Sequence, residues 1–258
     1  MFRRQLVPAI VLTIVVALAL GVVYPIVVWG IGQLGWKSKV DGSFVSRNGQ
    51  VVGSTLIGQP FLDKSGNPLP QYFQTRPSDA FVQQNILTSG ASNLGPSDPR
   101  LVGFIPGFNT VNLQGNPSST NPFATKQDPY CVPVNASTGN PVISGFTSVK
   151  LEKSDGQYVC DPNTAPERAI AYRQLNDLPA NAQVPVDAVT ASGSGEDPDI
   201  SVANANLQAP RVARVRHLSL SEVQSLIAQN TTGRYLGIFG EPGVNVLQLN
   251  LALDRLGT

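Results

Sequence analysis

Residues with catalytic side chains are few in this chain, and they do not form a known catalytic pattern. His217 is the only histidine, and it closely follows Arg211, Arg214 and Arg216 in a basic stretch. A nucleophile-elbow hydrolase would need a Gly-x-Ser-x-Gly sequence, and a nucleotide-binding loop would need a Walker A sequence; the chain has neither. We therefore predict that His217 is a surface residue and that the chain is not an enzyme in its own right.

A short acidic group is the next candidate for chemistry. Glu196, Asp197 and Asp199 lie within four positions of one another. A calcium site would need more oxygen ligands at defined spacing, and usually a further acid downstream. A solvated acidic turn is therefore the favoured interpretation, and we predict no catalytic residues, no metal site and no tightly bound cofactor.

A stretch of small polar residues could bind an anion or a partner. Ser89, Gly90, Ser92 and Asn93 could offer backbone and side-chain donors to a nucleotide or to another protein. The sequence from Leu87 to Ala91 weakly resembles the Leu-Ser-Gly-Gly-Gln signature of transporter ATPases. An ordinary turn is the competing interpretation, because small-residue loops are common.

The two cysteines, Cys131 and Cys160, suit a disulfide in an oxidising compartment. Closing a loop of this length would stabilise the fold by about 3–4 kcal/mol on the chain-entropy account. Two unpaired thiols are the alternative. Neither cysteine has a nearby histidine or second cysteine, so a zinc site is not expected.

The N-terminal segment must place the rest of the chain at a membrane. No charge occurs from Leu6 to Trp36, and a bilayer core needs only about 20 apolar residues. We expect Pro25 to kink this helix or to mark its outer end. A cleaved signal peptide ending near Ala17–Ala19 is the alternative, but the apolar run continues well beyond that point.

These features predict an α+β chain with two parts. Residues 1–36 would hold a transmembrane helix at about residues 7–30, and residues 37–258 would form a mixed extracytoplasmic domain. The net charge of +1 gives no reason to expect a nucleic-acid partner. Basic residues are nearly balanced across the apolar run, so charge alone does not set its orientation.

Several elements can be placed in the second part. Val40 to Gln59 predicts a hairpin whose turn contains Asn48-Gly49. Residues 59–77 and 87–99 are predicted loops, and residues 103–166 form a loop- and β-rich stretch with a second hairpin formed by residues 146–152 and 157–160. The helices predicted further along the chain cover residues 168–175, 221–229 (capped by Ser219 or Ser221) and 246–253, the last with a buried strand as alternative.

Several stretches, taken in order, resemble one family. They are Tyr24-Pro25, VVGSTLIGQPF (51–61), YFQTRPS (72–78), TSGASNLGPSDP (88–99), VTASGSGEDPDIS (189–201), PRVARVR (210–216) and TGRYLGIFGEPGVNVLQLNLALD (232–254). Together they resemble the C subunits of Kdp potassium-transporting P-type ATPases. The chain departs from the family at Gln74-Thr75, where Trp-Gly is usual, and residues 103–166 look like an insertion.

The resemblance implies an accessory subunit of a bacterial, ATP-driven, high-affinity potassium transport complex in the cell membrane. Potassium would be the transported ion. The implied partners are a channel-like potassium-binding subunit, a P-type catalytic subunit, a small single-helix subunit and membrane lipid. The N-terminus would be cytoplasmic and the soluble domain outside.

The resemblance also implies two roles for such a subunit. Family members are described as catalytic chaperones that raise the ATP affinity of the hydrolysing subunit, which brings ATP binding with it as an expectation. They are also understood to cap the channel-like subunit from outside. The residues carried over as a subunit-interface set are Arg76, Arg211, Glu241, Asn245 and Asn250. A free anchored binding module unrelated to a pump is the alternative function.

Overall fold

The computed structural model describes residues 2–78, 133–135, 158–160 and 164–256. The chain divides into two compact units, Met1–Leu56 and Ile57–Thr258. It contains both helices and short antiparallel sheets, which confirms the predicted α+β content.

A long apolar helix begins the first unit. Its α-helical parts are α1 (Phe2–Leu18) and α2 (Tyr24–Val40), joined by a π-helical segment at Ala19–Val23. The helix Arg4–Val40 contains an 18-residue window with a mean hydropathy of 2.9, and it is apolar and long enough to cross a membrane.

Pro25 accounts for the π-helical segment between the two parts. Because proline has no N–H, the carbonyl of Gly21 cannot receive the usual bond from four residues onward. The N–H of Tyr24 instead bonds to the carbonyl of Ala19, which is the wider register of a π-helix. The helix continues well past Pro25 and is interrupted only at Trp36, whose φ of −141° and ψ of 42° are not helical. Pro25 therefore marks a change of register and not the outer end.

A two-stranded hairpin completes the first unit. Strands β1 (Phe44–Arg47) and β2 (Gln50–Ser54) pair antiparallel. Asn48 and Gly49 have φ of 52° and 78°, as a tight hairpin turn of this type requires. The predicted hairpin is thereby confirmed.

The second unit places helices around a small antiparallel sheet. Its helices are α3 (Ala165–Leu175), a 3₁₀ turn (Val186–Ala188), α4 (Val202–Val215), α5 (Leu220–Gln229) and α6 (Val246–Arg255). The central sheet consists of β5 (Asp199–Ser201), β6 (Thr231–Thr232) and β7 (Gly243–Asn245). The strand order in this sheet is β5-β7-β6.

Helix caps account for where these helices begin. Thr164 accepts a hydrogen bond from the N–H of Glu167 at the start of α3, and Asn245 caps α6 in the same manner. Ser219 and Glu222 form a complete capping box on α5. The three predicted helices are confirmed; Ser219 is the cap of α5, and residues 246–253 are helical.

The apolar core of the second unit lies between α4, α5, α6 and the sheet. Ala205, Ala209 and Val212 recur at helical spacing along one face of α4 and are fully buried. The other core residues are Phe73, Ile200, Ala213, Val223, Ile227, Val244, Val246, Leu249 and Leu253. Phe73 belongs to an extended segment and not to a helix or strand.

A separate two-stranded ladder lies within the stretch predicted to be β-rich. It pairs β3 (Pro133–Asn135) with β4 (Tyr158–Cys160), and places Pro133 opposite Cys160. The prediction of a strand ending at Cys160 is confirmed, but its described partner is β3; residues 146–152 lie outside the described residues. Cys131 also lies outside them, so the disulfide stays a prediction.

Candidate functional site

The extended segment 70–78 crosses the second unit and is held by side chains from the helices. Asn250 on α6 contacts both backbone groups of Phe73. Its Oδ1 accepts from the Phe73 N–H at 2.9 Å, and its Nδ2 donates to the Phe73 carbonyl at 3.0 Å. The amide side chain therefore takes the place that a neighbouring strand would have.

Gln208 on α4 makes the same pair of bonds to the next residue. Its Oε1 accepts from the Gln74 N–H at 2.8 Å, and its Nε2 donates to the Gln74 carbonyl at 3.0 Å. Both Gln208 and Asn250 are buried, at 1% and 0% exposure. Two buried amides thus fix two consecutive peptide groups.

Arg211 on α4 supports the start of the segment. Its guanidinium donates to the carbonyls of Pro70 and Tyr72, the latter at 3.0 Å. It also donates to Gln208 Oε1 and to Asn176 Oδ1, each at 2.9 Å. Burial lowers the pKa of Arg211 to about 10, so the guanidinium is still charged at neutral pH.

Arg216, just after α4, completes the set of donors. It donates to the Gln71 carbonyl at 2.7 Å and to Asp254 Oδ1 at 2.7 Å. Its guanidinium carbon also lies 4.7 Å from the centre of the Tyr72 ring, within the range of a cation–π contact. Every backbone carbonyl from residue 70 to residue 74 therefore accepts a hydrogen bond from a buried side chain.

The side chain of Gln74 adds bonds to nearby backbone carbonyls. Its Nε2 donates to the carbonyls of Phe61 and Leu69, each at 3.1 Å. The Gln74 side chain thus contributes to holding the segment against the loop that precedes it.

Arg76 joins the segment to the acidic turn. Its Nη1 lies 3.2 Å from Asp197 Oδ2, and its Nη2 donates to the Ala191 carbonyl at 3.0 Å. Asp197 is therefore engaged by an arginine, and Glu196 offers its backbone carbonyl to the N–H of Gly58 at 2.7 Å. The acidic group holds loops in place through these contacts.

Asp199 and Asn245 lie opposite each other on β5 and β7. Asn245 Nδ2 donates to Asp199 Oδ1 at 3.1 Å. Partial burial raises the pKa of the Asp199 carboxyl, and the charge of Asp197 raises it further, while the bond from Asn245 acts in the opposite direction. Asn245 thus serves both as a helix cap and as a partner of this carboxyl.

Glu241 lies apart from this network, on the loop between β6 and β7. Both of its carboxylate oxygens are 2.8 Å from Arg234 Nη2. Of the five residues carried over as an interface set, Arg211 and Asn250 are buried and hold the 70–78 segment. Asn245 is also buried, Arg76 is half-buried, and Glu241 is exposed.

A cavity of about 710 Å³ lies beside the 70–78 segment. Its polar lining includes Gln74, Arg76, Arg168, Tyr172, Asn204 and Gln208. Tyr172 donates to Asn204 Oδ1 at 2.8 Å, and burial raises the pKa of its hydroxyl, so it remains protonated at neutral pH. The cavity is thus bordered by the segment that the helices hold.

The described part of the chain contains no cluster of three or more metal-ligating side chains. His217 is exposed and follows the C-terminus of α4, as the sequence predicted for a surface residue. Ser89, Gly90, Ser92 and Asn93 lie outside the described residues, as do Cys131 and the predicted loop at 87–99. The described chemistry is that of positioning a backbone segment by side-chain hydrogen bonds.

The sequence analysis gave no site role to Gln208, Asn176 or Arg216, and it did not predict α4. A signal for α4 was present, because Ser201 supplies an N-cap and apolar residues recur at helical spacing after it. Pro210 lies inside the helix and obscures that signal. No local pattern indicates that amides more than 130 positions away would pair with Gln74 and Phe73.

Comparison with known proteins assigns the chain to a family. The family described as "K+-transporting ATPase, c chain" matches residues 6–141 and 153–255. The "Potassium-transporting ATPase KdpC subunit" of Mycobacterium tuberculosis (strain ATCC 25618 / H37Rv) is 38% identical over 254 residues, which cover 98% of this chain and 100% of that protein.

Two further relatives carry the same name. The protein of Herminiimonas arsenicoxydans is 37% identical over 254 residues, covering 98% of each chain. The protein of Koribacter versatilis (strain Ellin345) is 32% identical over 252 residues, covering 98% of this chain and 95% of that protein. The similarity therefore extends over nearly the whole chain, from the apolar helix to α6.

Proposed function

The chain belongs to the family of the c chain of the K+-transporting ATPase, and from this membership we propose that it is a non-catalytic accessory subunit of an ATP-driven potassium transport complex. The observation that carries the proposal is similarity to relatives named as subunits of a potassium-transporting ATPase over 98% of the chain. Potassium is the transported ion of such a complex and not a resident cofactor of this chain.

The architecture supports a role that depends on partners. The described residues contain one helix able to span a membrane, and a single helix cannot enclose a selective pore, because a filter needs several converging backbone segments. The buried polar groups around the 70–78 segment bond to one another and to backbone, which suits a rigid positioning module. We propose that the pore and the ATP-hydrolysing site belong to a channel-like subunit and a P-type catalytic subunit, with a small single-helix subunit beside them.

We propose that the second unit lies outside the cytoplasm and caps the channel-like subunit, with the N-terminus cytoplasmic. The apolar helix would anchor it in the cell membrane and contact lipid and neighbouring helices. A disulfide between Cys131 and Cys160 fits this compartment. The β3–β4 ladder supports the pairing, because Pro133 lies opposite Cys160 and only two residues from Cys131.

A catalytic-chaperone role is the second aspect of the proposal. The chain would raise the ATP affinity of the hydrolysing subunit through subunit contacts. Ser89, Gly90, Ser92 and Asn93 are the residues proposed for a nucleotide or partner contact. An external unit would meet little ATP, so a partner contact is the version that agrees with the proposed topology.

The five residues carried over from the family take different parts in the proposed interface. Glu241 is exposed and could contact a partner directly. Arg211 and Asn250 would act by fixing the 70–78 segment, whose far end leads into residues 79–132. Arg76 and Asn245 would position the surface around the acidic turn.

Deletion of the gene with complementation tests the proposal. Without the chain, growth at limiting potassium and potassium uptake should fail, while the other ATPase subunits are still made. Re-expression of the full chain should restore both, and so should the exposed-site variant Gln248→Ala. The purified complex lacking the chain should also have a raised KM for ATP. Uptake at full rate and affinity without the chain would rule the proposal out.

A free anchored binding module is the competing function. Purification of the tagged full chain in mild detergent separates the two. Recovery of the ATPase subunits at constant stoichiometry supports the proposal, and recovery of the chain alone favours the free module.

A further inference from the structure

The apolar helix ends in a sharp reversal of the chain at Trp36. In a straight helix, residues eight positions apart are separated by about 12 Å along the axis. Here Gln33 Nε2 donates to Asp41 Oδ1 at 2.9 Å, and a β-carbon placed on Gly32 would lie 2.7 Å from Val40 Cγ2. The chain beyond Trp36 therefore folds back beside the last turn of the helix and does not extend it outward.

Hydrogen bonds join this reversal directly to the β1–β2 hairpin. The Ser43 N–H donates to the Ser38 carbonyl at 2.7 Å, and Ser54 Oγ donates to the Gly42 carbonyl at 2.6 Å. The first bond fixes the start of the hairpin to the reversal, and the second fixes its end. We call residues 44–54 the anchor hairpin, because these bonds hold it at the end of the apolar helix.

The anchor hairpin exposes two large apolar side chains on one face. Phe44 is 65% exposed and Val51 is 62% exposed. Ser46 is the cross-strand partner of Val51 and lies two positions after Phe44, so both apolar side chains belong to the same face. A two-stranded hairpin by itself is only marginally stable in water. A surface that covers Phe44 and Val51 would therefore stabilise the hairpin.

The tether to the apolar helix determines which surface lies close enough to cover this face. Tryptophan is enriched at the membrane–water interface, and Trp36 lies near the end of the helix able to span a membrane. Val40 lies beside Gly32, one turn before Trp36, and the four steps from Val40 to Phe44 span at most about 14 Å. Phe44 is thereby kept close to the level of Trp36, where lipid head groups lie.

The charges around the anchor hairpin also favour a lipid surface. Residues 37–56 contain three basic side chains and one acidic side chain, which gives this stretch a net charge of +2; the four residues are Lys37, Lys39, Arg47 and Asp41. Elements that lie on membranes combine exposed apolar side chains with an excess of Lys and Arg, which anionic lipids attract. The anchor hairpin and the reversal before it have both features.

We propose that the anchor hairpin lies in the head-group layer of an anionic membrane, with Phe44 and Val51 inserted among the lipids. The inference rests on the proposed anchoring of the apolar helix in the membrane, and it holds for either orientation of that helix. It adds a second contact with the bilayer beside the helix itself. Because interfacial anchors set the tilt and rotation of a membrane helix, this contact would fix how the first unit stands in the membrane.

Quenching of tryptophan fluorescence by brominated lipids tests the contact. The full-length chain carries Trp29→Phe and Trp36→Tyr, so that Phe44→Trp supplies its only tryptophan. It is reconstituted in vesicles of phosphatidylglycerol and phosphatidylethanolamine with bromine on the acyl chains near the head groups. Interfacial elements lie about 5–10 Å into the boundary between head groups and acyl chains, so emission should fall at least about twofold relative to unbrominated vesicles.

Three further chains serve as controls. Val51→Trp in the same background reports on the same face, in case Phe44→Trp disturbs the hairpin. Val186→Trp should keep its emission, because Val186 is equally accessible, at 72% exposure, but belongs to the second unit. A chain that keeps Trp29 as its only tryptophan reports whether the apolar helix has inserted.

Each result supports or overturns the inference. Quenching at positions 44 and 51 with none at position 186 supports it. If Trp29 is quenched while positions 44 and 51 are not, or if position 186 is quenched equally, the hairpin inference is wrong although the helix is anchored. If Trp29 is not quenched, the proposed anchoring fails and the hairpin inference fails with it.

Photo-crosslinking in native membranes separates lipid from a protein occupant. Benzoylphenylalanine replaces Val51 in the full chain, expressed together with the other ATPase subunits, and mass spectrometry identifies the adducts. We expect adducts with phospholipid. An adduct with another subunit or with a second copy of this chain, in place of lipid, would overturn the inference and leave the proposed accessory role intact.

Discussion

Asn250 is hydrogen-bonded to both backbone groups of Phe73, a residue 177 positions earlier in the chain. Phe73 fills the core with its ring while its peptide groups are held by an amide. Gln208 repeats the arrangement at Gln74. In a segment without regular secondary structure, the backbone groups of these two residues are thus hydrogen-bonded, as those of a strand within a sheet are.

Replacing Asn250 with alanine should destabilise the second unit by about 2–4 kcal/mol. The change leaves a buried N–H and a buried carbonyl unpaired, each costing about 1–3 kcal/mol, and the two costs partly overlap. Urea unfolding of the full chain in detergent, followed by circular dichroism, measures the loss. Gln248→Ala, at an exposed position on the same helix, should change stability by less than about 0.5 kcal/mol. Equal stabilities of the two variants would contradict this account.

Replacing His217 with glycine should stabilise the second unit by about 0.5–1 kcal/mol. His217 follows the C-terminus of α4 with φ of 56°, and its N–H bonds to the Arg214 carbonyl while that of Leu218 bonds to the Ala213 carbonyl. This is a Schellman motif, in which glycine avoids the steric cost of a left-handed residue. The same unfolding measurement detects the gain.

The matched control for this change is Gln224→Gly, at an exposed position inside α5. Glycine within a helix should cost roughly 0.5–1 kcal/mol, so the two glycine variants should shift stability in opposite directions. A loss of stability in His217→Gly would mean that the imidazole makes a contribution larger than the backbone cost.

The elements that could be predicted from the sequence are those that depend on residues close together in the chain. Asn48-Gly49 predicted the hairpin, and a cap at Ser219 or Ser221 predicted the start of α5 to within two residues, because these patterns act within four residues. The pairing of Asn250 with Phe73 depends on tertiary contact and leaves no periodic trace. The sequence predicted a loop for residues 59–77, which is correct as secondary structure but does not indicate how the segment is held.

Replacing Asp199 with asparagine should remove a destabilising contribution to the folded state that increases as pH rises. Burial raises the pKa of this carboxyl above its ordinary value of 3.8, so the folded chain keeps the proton after the unfolded chain has lost it. The folded state then binds more protons, and its stability falls as pH rises through that window. The free energy of unfolding of Asp199→Asn, relative to that of the wild type, should therefore increase from acidic to neutral pH. At higher pH this difference should stay constant.

Asp63→Asn is a control for which the opposite dependence of stability on pH is expected. Hydrogen bonds from Asn67, and from Ser65 and Gly66, hold the pKa of its carboxyl below 3.8. Its contribution to stability is therefore present above that value and is lost as pH falls. Asp63→Asn should lose stability relative to wild type as pH rises. Unfolding curves recorded between about pH 3 and 7 compare the two, and parallel profiles would exclude the assigned causes.

The last prediction concerns the side of the membrane on which the second unit lies. Arg3 and Arg4 precede the apolar helix, while Lys37, Lys39 and Arg47 follow it, so the positive-inside tendency does not decide the orientation. The proposed role at the outer face of a channel-like subunit requires the second unit to be outside. A cysteine placed at Gln224, an exposed position on α5, should then react with a membrane-impermeant maleimide in intact spheroplasts.

Two controls make the labelling decisive. A cysteine at Gln5, before the apolar stretch, should react only after lysis, because it would lie on the cytoplasmic side. The unmodified chain, which carries only Cys131 and Cys160, should react only after reduction if these two form the predicted disulfide. If the cysteine at position 5 reacted in intact spheroplasts and the cysteine at position 224 reacted only after lysis, the topology would be the reverse of the one proposed. A cap on the outer face of the channel would then be excluded, because the second unit would share the cytoplasm with ATP.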